Sequence, residues 1–62
     1  MKTFKIESHG NDCMLYHYYV YIPERRVVIQ TTVCSLDQDV QVSVWKNPDS
    51  SLPQEVQEWW AT

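Results

Sequence analysis

Glycine is nearly missing from this 62-residue chain, which holds one, Gly10. That excludes a glycine-rich loop cradling phosphates, which needs repeated close approaches of bare backbone. Basic residues are few. Five Lys and Arg face eight Asp and Glu, a formal net charge of −3, which argues against a binder that works by neutralising phosphates. Two cysteines, Cys13 and Cys34, make neither a disulfide framework nor the paired ligand clusters of structural zinc. Nowhere is there an apolar run of about 18 residues, so no membrane-spanning helix is expected. What the chain does have is 44% apolar residues, with three Trp and four Tyr, too many for a disordered segment. The length admits one small domain over residues 1–62, near the lower limit for a self-sufficient core.

The N-terminal Met1–Glu7 is interrupted by charges at Lys2, Lys5 and Glu7 and lacks the apolar stretch of a signal peptide. The expectation is a cytoplasmic chain with both thiols reduced.

The apolar pattern has period two for most of the chain. Thr3–Ser8 alternates, with Phe4 and Ile6 on one side and Lys5 and Glu7 on the other. His9-Gly10-Asn11-Asp12 reads as a turn in which Gly10 supplies a positive φ. Cys13–Ile22 and Val27–Cys34 are dense in Tyr, Val and Ile, which favour pleated backbone, and Pro23–Arg26 reverses the chain between them. Ser35–Gln38 turns again, and Val40, Val42 and Val44 then alternate with Gln41, Ser43 and Trp45 before Asn47-Pro48 ends the pattern. In the last segment the period changes. Leu52, Val56, Trp59 and Trp60 fall within about 100° on a helical wheel, with Ser50 or Ser51 as a cap and Pro53 in the first turn. So short a helix must dock on something to form. The fold class expected is α+β: a four-stranded antiparallel β-meander with one C-terminal α-helix packed on one face, ββββα.

Side-chain parity divides the sheet. Pairing Ile22 with Val27, Val33 with Val40 and Phe4 with Tyr16 places Phe4, Ile6, Tyr16, Tyr18, Val20, Ile29, Val42 and Val44 on one face. A one-residue slip would send each strand to the wrong side. This aliphatic face is expected to lie under the helix. The other face, with Leu15, His17, Tyr19, Tyr21, Val28 and Trp45 among polar residues, is then open and offers Tyr and Trp anchors to a partner.

Catalytic chemistry finds little footing. Ser8, His9 and Asp12 are neighbours in a turn, but no enclosed carboxylate pair accompanies them, and the chain has little volume for a substrate pocket. Cys13 and His17 lie about 13 Å apart along an extended strand, too far to share an ion. No catalytic residue, metal or cofactor is expected. The function expected is a non-catalytic, acidic protein-binding module, an inhibitor or adaptor acting through Leu15, His17, Tyr19, Tyr21, Val28 and Trp45. Its partner is another protein or, as a homodimer, itself. The alternative is a homo-oligomeric accessory protein, including a phage-type inhibitor of host machinery. Single-stranded nucleic acid stacking on Tyr19, Tyr21 and Trp45 is a third reading, opposed by the scattered basic residues.

Overall fold

Four segments bearing β-branched or aromatic residues, separated by turn-forming residues, produce four strands in the computed structural model, which describes residues 1–36 and 39–61. They are β1 (Lys2–His9), β2 (Met14–Ile22), β3 (Val27–Cys34) and β4 (Val40–Trp45). All neighbours are antiparallel, and the sheet order is β1-β2-β3-β4, the expected meander. The chain closes with one α-helical turn, α1 (Gln54–Gln57), which tightens into a 3₁₀ turn, η1 (Glu58–Ala61). The expected turn over Ser35–Gln38 includes Asp37 and Gln38, which lie outside the described residues.

The two later hairpins have the register that parity demands. Ile22 pairs with Val27 and Val20 with Ile29, while Val33 pairs with Val40 and Ile29 with Val44. The first hairpin does not. Its turn spans Gly10–Cys13, closed by the Gly10 N–H donating to the Cys13 carbonyl at 2.8 Å, so Phe4 pairs with Tyr19 rather than Tyr16. A shift of three residues is odd, and it turns Phe4 and Ile6 over to the other face. Gly10 is not the left-handed residue of this turn either. Asp12 takes that role at φ 61°, and Arg26 takes it in the next turn at φ 53°. Asp tolerates the region because its short polar side chain bonds locally. Arg26 ends a hairpin turn closed by the Arg25 and Arg26 N–H groups donating to the Ile22 and Pro23 carbonyls, and it also contacts the C-terminal segment.

Those contacts correct the largest expectation. The helical segment packs over Tyr19, Tyr21 and Val28, not over the aliphatic face. The core is Tyr19, Tyr21, Val28, Leu52, Val56, Trp59 and Trp60, with Phe4 and Trp45 packed against it. Tyr21 meets Trp59 in a tilted pair and Trp60 edge-on, each at 6.1 Å between centroids. Rings bury more area per residue than valines and gain further from such geometries. The position is locked at the β2–β3 turn. Trp60 Nε1 donates to the Arg26 carbonyl at 2.8 Å, and the Arg26 guanidinium donates to the Trp60 carbonyl at 2.6 Å.

Entry to the helix also differs from the expected serine cap. Pro53 is the N-cap residue and no side chain caps it. Instead Asp49 Oδ1 accepts from the Ser51 N–H at 2.9 Å and from Ser51 Oγ at 2.7 Å, and the Leu52 N–H donates to the Asp49 carbonyl. This Asx-type turn drops Leu52 into the core. Gln57 Nε2, donating to the Leu52 carbonyl at 2.7 Å, closes it from inside the helix.

Candidate functional site

Eight residues of helical backbone reach about 14 Å, whereas the molecule is 37 Å long. The covering therefore stops short of one end of the sheet. Here the polar residues of the helix-bearing face bond to one another across the strands. Ser8 Oγ (β1) lies 3.0 Å from His17 Nε2 (β2), and His17 Nδ1 lies 3.2 Å from Thr32 Oγ1 (β3). A neutral imidazole donates from one nitrogen and accepts at the other, so the ring can serve both hydroxyls in either tautomer. Gln30 Nε2 approaches Thr32 Oγ1 at 3.5 Å, a marginal contact, and Gln30 Oε1 accepts from Trp45 Nε1 at 2.8 Å. The chain of contacts runs from β1 to β4 and satisfies the groups that, read as sequence, looked meant for water. Beside it lies a half-open groove of about 530 Å³ lined by Leu15, His17, Gln30, Thr32, Cys34, Asp39 and Gln41. Both cysteines are half-buried thiols. Among the described residues, no cluster of three or more His, Cys, Asp or Glu is placed to hold a metal ion.

The six residues expected to form an open contact surface are thus divided. Tyr19, Tyr21 and Val28 are 6%, 4% and 0% exposed beneath the helical segment. Burial also pushes the Tyr19 hydroxyl's pKa above the ordinary tyrosine value, because the phenolate would lose its hydration. Trp45 is half-buried at the edge of this core. Leu15 and His17 remain partly accessible, but as the floor of the polar groove. None of the six faces the open side of the sheet, because the helix took their side. Of the expected stacking platform for nucleic acid, Tyr19 and Tyr21 are covered and Trp45 is half-buried.

The face that is left open is the aliphatic one. Its rows are Tyr16, Tyr18, Val20 and Ile22 on β2, Val27, Ile29, Thr31 and Val33 on β3, and Val40, Val42 and Val44 on β4. Val40, Val42 and Val44 are 54%, 63% and 57% exposed, and Tyr18 is 40% exposed. The β1 row beside them, Thr3, Lys5, Glu7 and His9, is polar. Lys5 Nζ lies 3.6 Å from Glu7 Oε1 and 6.0 Å from the centre of the Tyr16 ring. An uncharged surface with a charged, polar border along one strand has part of the anatomy of a protein interface, whose centre is depleted of charge and whose rim is polar. Parity had gathered these residues on one face; the signal that could have kept it open was the match between paired tyrosines and paired tryptophans. Among the described residues, no helix is long and apolar enough to cross a membrane. Comparison of the chain with protein families, curated proteins and solved structures finds no match.

Proposed function

We propose that this chain is a non-catalytic protein-binding module whose contact surface is the open aliphatic face of the sheet. The observation that carries the reading is the β4 row: three valines, each more than half exposed, continuous with an uncharged surface two strands wide. Single exposed apolar side chains are ordinary, but a contiguous apolar patch bordered on one side by the charged β1 row marks a surface that is covered in use. The partner's chemistry follows from the surface: an uncharged, branched-aliphatic or aromatic face that presents no charge over Val42. The covered core and the polar groove lie on the other side of the sheet.

A photoreactive side chain placed at Val42 tests this, with one at Glu24 in the β2–β3 turn as control. The reading expects adducts to protein from position 42, lost when Val44→Glu is added, and none from position 24. Absence of adducts from position 42, or equal yields from both positions, contradicts it.

A further inference from the structure

We infer that the partner covering this face is a second copy of the chain, docked sheet on sheet about a two-fold axis parallel to β3 and midway between the two sheets. The inference rests on the proposed contact face and names its occupant. Its first ground is complementarity of size. Across the face, bulk falls from the tyrosines of β2 to the valines of β4, with Tyr18, Thr31 and Val42 in one cross-strand row. An isologous interface must match itself, with residue i against j and j against i. Rotation about this axis sets β2 of each copy over β4 of the other. Tyr18 then meets the partner copy's Val42, and Val20 meets its Val44, while Thr31 faces its own counterpart. The large row fills the shallow one twice.

The second ground is charge. The same rotation leaves β1, with Lys5 and Glu7, beyond the partner's β4 edge, so neither charge loses its water. Any arrangement centred on β1 or β2 would bury them. The third is area. Four side chains at 40–63% exposure and seven half-buried ones present on the order of 700 Å² per copy, close to the roughly 800 Å² per partner of a standard interface. Two antiparallel sheets stacked in this way form an aligned sandwich, with each copy's helical segment on its outer surface.

Sedimentation of the purified chain from micromolar to millimolar concentration is the test, joined to isotope-filtered NOE spectra on an equimolar mixture of labelled and unlabelled protein. A mass rising from 7.4 kDa to twice that value is expected, with intermolecular NOEs between the Tyr18 ring and the Val42 methyls. Val42→Glu should hold the mass at the monomer value across the range. The NOE is read on the wild-type chain, so the test stands even if that variant folds poorly. A wild-type chain that stays monomeric at millimolar concentration overturns the second copy; if position 42 still cross-links to other proteins, the contact face itself survives. A dimer that keeps its mass in a folded Val42→Glu variant and lacks the Tyr18–Val42 NOE overturns both.

Discussion

Replacing Trp60 by alanine strikes the joint between helix and sheet. The side chain is 8% exposed, lies edge-on to Tyr21 at 6.1 Å and donates its indole N–H to the Arg26 carbonyl at 2.8 Å. Removing a buried Trp costs about 3–5 kcal/mol. The lost hydrogen bond adds about 0.5–1.5 kcal/mol, the lower part of that range because the Arg26 turn is exposed and water replaces the donor. A domain of this length is expected to have about 3–9 kcal/mol in total. Trp60→Ala should therefore remove a large part of that stability at room temperature, and all of it for a total near the lower end of the range. Trp60→Phe keeps a ring against Tyr21 and loses mainly the hydrogen bond, so it should cost about 1–2 kcal/mol, or a midpoint lower by roughly 4–16 °C. Urea titration followed by circular dichroism measures both. A Trp60→Ala variant that unfolds cooperatively within about 0.5 kcal/mol of wild type would refute the reasoning, since ordinary surface substitutions fall in that range.

Arg26→Asn keeps a residue that tolerates positive φ but removes the guanidinium bond to the Trp60 carbonyl; a loss of about 1 kcal/mol in urea is expected. Two bonds from Ser51, first the backbone N–H and then the hydroxyl, hold the Asp49 carboxyl below the ordinary carboxylate range. The depressed folded value means that stability is present at neutral pH and is lost as pH falls through it. Asp49→Asn should flatten the acid limb of the stability profile, and an unchanged limb would count against the Asx-type turn. Tyr19 has the opposite sense. Its folded value is raised by burial, so the neutral phenol stabilises the fold until pH climbs past the ordinary tyrosine range. Tyr19→Phe should make alkaline unfolding shallower, measured by thermal midpoints against pH.

Strand positions and two of three registers were legible because turn residues and β-branched runs act locally. Pro23–Arg26 leaves little freedom in how Ile22 meets Val27, and the alternation of Val40, Val42 and Val44 fixes the parity of β4. The first register was not legible. His9–Cys13 can close over several turn lengths, and parity depends on whether the count is odd or even. Which face the helix would choose was also hidden. Counting apolar residues favours the aliphatic side, whereas ring-to-ring geometry with Trp59 and Trp60 favours Tyr21. His17, Gln30 and Thr32 looked like a solvent-facing set because their cross-strand hydrogen bonds exist only once the registers are known. The candidate contact surface followed that choice, so its residues were read on the wrong side although their partition into two faces was right for β2, β3 and β4.

The side of the sheet on which the C-terminal tryptophans rest decides which face is open to a partner. An NOE spectrum of the Trp59 and Trp60 indole protons measures it directly. Cross-peaks from both rings to the Tyr21 ring protons are predicted, with none to the methyls of Ile29 or Val42. Cross-peaks to Ile29 and Val42 in place of Tyr21 would contradict the account.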